Sequence, residues 1–167
     1  MKNIEEILQL LSWSNSAEDQ ERGRDMAQNI EDISELIQPD VGGKSAWDNC
    51  AKVLCKKTDE QLEPYLCELL EWIQDINWPG AMLILGRLKH FSGIKLKEPV
   101  ENAVKKAKGM QENGLMWIDY LSELLDNEGL GKCLSKATLT CLQQHYHNWA
   151  AWYQESICTM CSPPSAK

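Results

Sequence analysis

The stretch Pro64–Leu88, PYLCELLEWIQDINWPGAMLILGRL, decides the fold. Its first half carries apolar residues at the spacing of a helix, which predicts one amphipathic helix that begins at Pro64. Pro79 predicts the start of a second helix, which is apolar on almost all sides and should therefore be buried on more than one side. Because only a few residues separate the two helices, we expect them to pack as antiparallel neighbours.

The same helical period extends in both directions from this stretch. Four apolar residues near the N-terminus form a first helical stripe: Ile4, Ile7, Leu8 and Leu11. A second stripe runs from Met26 to Ile37, Pro99 predicts the start of another helix, and a long final helix is expected from about Leu130 to Ser156. No window alternates as a strand would. The sequence therefore predicts an all-α fold of about eight helices in antiparallel pairs.

A partial internal repeat favours a short α-solenoid over a closed helical bundle. A Leu-Leu pair closes a helix at Leu10-Leu11, at Leu69-Leu70 and at Leu124-Leu125, and the first two continue as LLSW and LLEW. In each case a polar turn and a further helix follow, as in the stacked helix pairs of HEAT-like arrays. We expect one helical-repeat domain over residues 1–160 and a C-terminal tail over residues 161–167, with a closed bundle as the alternative.

The composition restricts the partners and the compartment. The chain of 167 residues has 17 Lys and Arg against 25 Asp and Glu, a formal net charge of −8 that disfavours non-specific binding to nucleic acid or to a membrane surface. Acidic residues in MKNIEEILQLL stand where a secretory signal needs positive charge, and no apolar run is long enough to span a bilayer. Seven cysteines at irregular spacing are typical of reduced, buried thiols. We therefore expect a cytoplasmic protein.

The segment CELLEWIQDINWPGA, residues 67–81, resembles an uncharacterised bacterial family that is known only as a domain of unknown function. The hallmark of this family is an LLEWxQDxNWPxA segment between two helices of a HEAT-like array. The similarity extends from about Lys44 to Leu125, although this chain has Gly80 where a bulkier residue is expected and roughly forty further residues at each end. The resemblance implies a helical-repeat fold and brings no activity, substrate or catalytic residue with it.

The most distinctive candidate site lies in the turn between the two helices of this segment. Four of its residues are candidates for binding a ligand or a partner: Trp72, Asp75, Asn77 and Trp78. Two indoles around one carboxylate are typical of a small-molecule pocket. The structural alternative is that Asp75 or Asn77 caps the helix begun by Pro79, that the indoles pack the turn, and that Gly80 lets a neighbouring helix approach closely. The sequence favours this structural interpretation.

The C-terminal region holds further candidates. Trp149 and Trp152 lie on the predicted last helix, where they either cap the array or present a surface for a partner or for a second copy of the chain in a homodimer. Cys158 and Cys161 form a lone CxxC that, with His147, is a weak candidate for a zinc site. The two histidines of this helix are two residues apart, hence about 200° apart around it, and cannot both bind one ion. We expect neither a metal nor another cofactor.

Charge is unevenly distributed along the chain. Residues 1–75 contain 17 acidic and 7 basic side chains, whereas residues 76–167 contain 8 acidic and 10 basic ones. Seven cations lie in the segment Arg87–Lys108. Our leading hypothesis is therefore a non-enzymatic protein-interaction module whose acidic end binds a basic protein, and its sharper form is an immunity or antitoxin protein.

Two other functions stay open as alternatives. A helical-repeat nucleic-acid-processing enzyme would hold a base with Asp75 and the indoles of Trp72 and Trp78, and would hold phosphates with the cations of Arg87–Lys108. A metal-binding regulator would instead use the C-terminal CxxC and a histidine. No GxSxG or HExxH motif occurs in the sequence, so an enzyme is the less favoured class.

Overall fold

Every regular element between residues 4 and 146, the part of the chain that the computed structural model describes, is helical. The ten α-helices are α1 (Ile4–Leu10), α2 (Ala17–Ala27), α3 (Lys44–Leu54), α4 (Asp59–Leu62), α5 (Leu66–Trp72), α6 (Ala81–Lys89), α7 (Gly93–Lys108), α8 (Glu112–Ser122), α9 (Leu130–Cys133) and α10 (Lys136–His145). Three short 3-10 helices span Ile33–Leu36, Glu63–Tyr65 and Glu123–Asp126. The prediction of an all-α fold is confirmed.

One apolar core joins these helices, from Ile7 in α1 to Leu142 in α10. Its two largest fully buried side chains are the indoles of Trp72 and Trp117. A buried indole N–H needs a hydrogen-bond acceptor. Trp72 Nε1 donates to the Pro79 carbonyl and Trp117 Nε1 donates to the Leu70 carbonyl, each at 3.0 Å. Both hydrogen bonds therefore connect the C-terminal part of α5 to elements that follow it.

The main packing contacts pass along the chain from one end of the molecule to the other. Helix α1 packs on α2, α2 on α3, α3 on α6, α5 on α7, and α7 on α8 and α9, while α10 covers α8. Two ion pairs fix the direction of α7: Lys95 bonds to Glu63 at 2.6 Å, and Lys106 bonds to Glu71. Helix α7 therefore runs parallel to the segment that leads into and through α5.

Two prolines that the sequence assigns to the first position of a helix lie earlier than that. Pro64 is part of the 3-10 helix Glu63–Tyr65, and α5 begins at Leu66. Pro79 lies before Gly80, which is the N-cap of α6 at φ +81°, a left-handed conformation that glycine adopts without strain. Helix α6 is also less enclosed than predicted, because Met82 and Leu83 in its first turn are 55% and 37% exposed.

Pro99 does not begin a helix, because it lies inside α7, which begins at Gly93. An interior proline costs a helix about 3 kcal/mol. The apolar face of α7 supplies the compensating burial, since Leu96, Val100 and Val104 around Pro99 are all buried.

The second and the last predicted helices are also divided. The second apolar stripe is shared between α2, which ends at Ala27, and the 3-10 helix Ile33–Leu36. The long final helix is interrupted at Leu134, whose backbone is extended, and Ser135 caps a new helix by accepting a hydrogen bond from the Thr138 N–H. The helix therefore ends at Cys133 and a new one begins after the Ser135 cap. Residues beyond 146 lie outside the described part of the chain.

Candidate functional site

The turn between α5 and α6 is organised around its own backbone. The Asp75 carboxylate accepts hydrogen bonds from the backbone N–H of Asn77 at 2.9 Å and from its side-chain amide at 3.1 Å. This closes an Asx turn, and neither residue caps α6. The Trp72 indole N–H reaches across the same turn to the Pro79 carbonyl. One oxygen of the Asp75 carboxylate, the Asn77 amide and the Trp72 indole N–H are thus used within the turn.

A third indole, Trp47 of α3, completes this aromatic cluster. Its ring lies edge-on to the rings of Trp72 and Trp78, with centroids 6.0 Å apart in each case. The ammonium group of Lys44 lies 5.7 Å from the centres of both the Trp47 and Trp78 rings. The apolar stripe of α3 includes Trp47, but no sequence signal shows that α3 meets this turn.

Gly80 explains how α3 comes so close. A Cβ at this position would lie 2.6 Å from the Cβ of Ala51 and 3.0 Å from the carbonyl oxygen of Trp47. Together with its positive φ, this contact requires glycine, as the structural interpretation of the turn anticipated. The aromatic cluster with Lys44 therefore fastens α3 to the turn between α5 and α6.

The cations of residues 87–108, here called the basic segment, are largely used inside the fold. Arg87 donates to the Asp59 carboxylate at 2.6 Å and to the Lys57 carbonyl at 3.1 Å. Lys89 bonds to Asp126 at 2.7 Å, and the two α7 lysines described above bond to carboxylates before and within α5. Four of the seven cations of the basic segment thus form ion pairs with carboxylates of the same chain.

Asp59 accepts hydrogen bonds at both of its carboxylate oxygens. Burial alone would raise the pKa of the Asp59 carboxyl, but the hydrogen bonds from Arg87 and from the Ser92 backbone N–H outweigh it and hold the pKa below its ordinary value. Asp126 behaves alike, because hydrogen bonds from Lys89 and Tyr146 overcome the effect of burial and lower its pKa. These carboxylates stabilise the junctions between helices.

The opposite arrangement is found in residues 4–40, here called the N-terminal layer. It contains ten acidic and two basic side chains, a formal charge of −8 that equals the charge of the whole chain. Its only ion pair in the described structure joins Arg22 to Asp19. Glu18, Glu21 and Asp25 are exposed at the spacing i, i+3 and i+7, so they share the outer face of α2.

The N-terminal layer is firmly attached to α3 through Asn49, which is only 1% exposed. The Asn49 amide donates to the Leu11 carbonyl at 2.7 Å and to the Gln20 side chain at 2.8 Å, and its oxygen accepts from Arg24 at 2.8 Å. Lys57, also buried, donates to the Gln28 carbonyl at 2.7 Å, just past the end of α2. Neither residue was predicted from the sequence, because nothing local distinguishes them from surface residues of α3 and its C-terminal turn.

Several predicted candidates lie outside the described residues, namely Trp149, Trp152, His147, Cys158 and Cys161. Within residues 4–146, all five cysteines are free thiols, and burial raises the pKa of the Cys50 thiol to about 12. No group of His, Cys, Asp and Glu in that part of the chain has an arrangement that could hold a metal ion. Likewise, none of its helices is both long and apolar enough to cross a membrane.

The described part of the protein is thus an all-helical domain with an aromatic turn and an attached acidic layer. A family model described as a domain of unknown function (DUF5071) matches residues 44–144, and the chain belongs to this family. The expected relationship to an uncharacterised family is thus confirmed. Comparison with curated proteins and with solved structures finds no match. The family span begins at the first residue of α3, so the whole N-terminal layer lies before it.

Proposed function

We propose that this protein is a non-enzymatic protein-interaction module of the helical-repeat type, which binds a basic protein with its N-terminal layer, as an immunity or antitoxin protein would. One observation carries the proposal. Ion pairs within the fold use most cations of the basic segment, whereas the carboxylates of the N-terminal layer, apart from Asp19, have no cationic partner within the described residues. A strongly negative surface is thereby left for an external cation.

The packing order supports the helical-repeat part of the proposal. In a helical array each pair contacts its neighbours, and equivalent helices of successive repeats run parallel. Here the N-terminal helices pack on each other and on α3, while α7 lies parallel to α5 with α6 between them in sequence. The N-terminal layer then forms one end of the array, where a partner could approach α2 from outside.

The geometry of the layer favours binding to a protein. A field of one sign speeds the encounter of oppositely charged proteins, often by a factor of about 10 or more at low salt. The buried bonds of Asn49 and Lys57 hold α1 and α2 in place before a partner arrives. A rigid surface loses little conformational entropy on binding, so this arrangement supports specific recognition.

The nucleic-acid alternative receives less support. It requires free cations and accessible indoles, but four cations of the basic segment are paired, and Trp72 is buried with its N–H bonded to Pro79. Gel-shift measurements at low salt are the direct check, and we expect no shift of single- or double-stranded nucleic acid.

The proposal is tested by a charge-neutralised layer variant, Glu21→Gln, Asp25→Asn and Glu35→Gln. All three residues are exposed, and none of them forms an ion pair in the described structure. We expect that cross-linking in the source cell captures a basic protein with the wild type, and that the layer variant associates about tenfold more slowly with the purified partner at low salt.

A matched control removes the same number of charges elsewhere. Glu98→Gln, Glu112→Gln and Glu128→Gln are likewise exposed and lie outside the N-terminal layer. The control should associate at nearly the wild-type rate, and the wild-type rate should fall as salt is added. An equal loss in both variants, or a captured partner that is acidic, would contradict the proposal.

A further inference from the structure

The N-terminal layer also holds an exposed aromatic side chain, Trp13, in the turn between α1 and α2. Its side chain is 57% exposed. The other eight aromatic residues between positions 4 and 146 are buried or half-buried. The single exposed aromatic residue in the described structure therefore lies in the region that also carries the unpaired negative charge.

Both backbone polar groups of Trp13, the N–H and the carbonyl, form hydrogen bonds. The Trp13 N–H donates to the Ser45 carbonyl of α3 at 3.0 Å, and the Trp13 carbonyl accepts from the Gln20 side chain at 3.4 Å. The same Gln20 amide donates to the Asn15 carbonyl at 2.9 Å, which holds the turn against α2. The ring is thus presented from a turn anchored to two helices.

The outer carboxylates of α2 follow this ring closely along the chain. Glu18 lies five positions after Trp13, so their Cα atoms are at most about 18 Å apart. Asp25 follows seven residues further along α2, a rise of about 10 Å. These separations are within the width of one protein–protein interface, so one basic surface of a partner can cover the indole and these carboxylates.

We propose that Trp13 is the anchor of the partner-binding surface and receives an arginine side chain of the basic partner; this inference rests on the proposed function. A planar, weakly hydrated guanidinium group stacks on an indole face and still donates hydrogen bonds to carboxylates at its edge. A lysine ammonium is a compact and strongly hydrated charge, so it gains less from the ring. Tryptophan and arginine are also enriched among residues that dominate interface energies.

Two labelled peptides of equal length and charge test this inference, one alternating Arg with Ser and the other alternating Lys with Ser. Fluorescence anisotropy at low salt measures their affinities for the full chain. We expect the wild type to bind the Arg peptide about two- to fivefold more tightly than the Lys peptide, the range of an exposed cation–π contact. Trp13→Ala and Trp13→Leu should remove this preference, whereas Trp13→Phe should retain part of it.

Leu115→Ala, a substitution at another exposed apolar residue, is the matched control and should keep the wild-type preference. The Leu replacement keeps apolar bulk at position 13, so it also reports if the Ala variant fails to fold. If the preference survives both Trp13 variants while the charge-neutralised layer variant binds both peptides more weakly, the arginine anchor is wrong and the proposed function stands. If the layer variant binds both peptides as the wild type does, the proposed function fails as well.

Discussion

The N-terminal layer and the basic segment use charge in opposite ways. In the basic segment, Arg87, Lys89 and two lysines of α7 each meet a carboxylate from another helix, so their charges fasten the fold. In the N-terminal layer, carboxylates such as Glu18 and Glu21 face solvent and form no ion pair with any cation of residues 4–146. A run of charged residues in a sequence can therefore be either structural or available for binding, and only the packing of the fold distinguishes the two.

By contrast, both regions are joined to their neighbouring helices by a buried asparagine. Asn127 is the counterpart of Asn49: its amide donates to the Phe91 carbonyl at 2.7 Å, and its oxygen accepts from the backbone N–H groups of Gly129 and Leu130, each at 3.1 Å. Both asparagines are buried. In each case the side-chain amide bonds to backbone groups near the ends of other helices. The N-terminal layer is therefore joined to α3 by the same kind of buried amide that joins helices within the family span.

The largest expected effect comes from breaking this attachment with Asn49→Ala. The substitution leaves the Leu11 carbonyl and the side chains of Gln20 and Arg24 without their buried partner. We expect a loss of about 2–4 kcal/mol in the free energy of unfolding, measured by urea titration. Asn127→Ala is the matched control in the family span and should cost a similar amount. A cost below about 1 kcal/mol for Asn49→Ala alone would show that the layer is only loosely attached.

An intermediate effect is expected from Asp59→Asn, which removes an ion pair of the basic segment. Because the pKa of Asp59 is lowered in the folded state, its stabilisation is fully present above the unfolded value near pH 4 and is lost as the pH falls through the folded value. We expect the variant to be about 1–2 kcal/mol less stable than the wild type at pH 7. The difference should shrink as the pH is lowered towards 2.

Asp25→Asn provides the comparison from the N-terminal layer. This carboxylate is exposed and has no ion pair in the described structure, so its removal should change the free energy of unfolding by less than about 0.5 kcal/mol. If both substitutions cost the same at pH 7, the contrast between paired and open carboxylates is mistaken. The measurement is a series of urea titrations at several pH values.

The sequence predicted the fold class because apolar periodicity is a local property that packing preserves. It failed at Pro99 and Leu134, where tertiary burial carries a helix through a proline and a serine cap interrupts a continuous stripe. It located the turn at Trp72 and favoured its structural role, but it missed Trp47, since the approach of α3 depends on long-range contacts. The pairing of the basic segment was hidden for the same reason: its partners lie about 30 residues away along the chain.

The smallest expected effect separates the two regions most clearly, because neutralising carboxylates should change the free energy of unfolding in opposite directions in the two regions. Glu21→Gln with Glu35→Gln removes negative charge from a surface that repels itself, so it should stabilise the protein by about 0.3 kcal/mol. Glu63→Gln with Glu71→Gln removes the partners of two α7 lysines and should destabilise it by about 0.5–1 kcal/mol. Urea titrations at low salt compare the two double variants with the wild type.

Added salt distinguishes this electrostatic account from a change in helix propensity. Gln and Glu have nearly equal helix propensities, so the substitutions alter mainly charge. At an ionic strength of about 1 M the screening length falls to about 3 Å, and both the gain in the N-terminal layer and part of the loss at the α7 pairs should fade. A gain in the layer that persists at high salt would mean that its carboxylates do not repel one another, and the layer would then lack the concentrated field through which it is proposed to attract a basic partner.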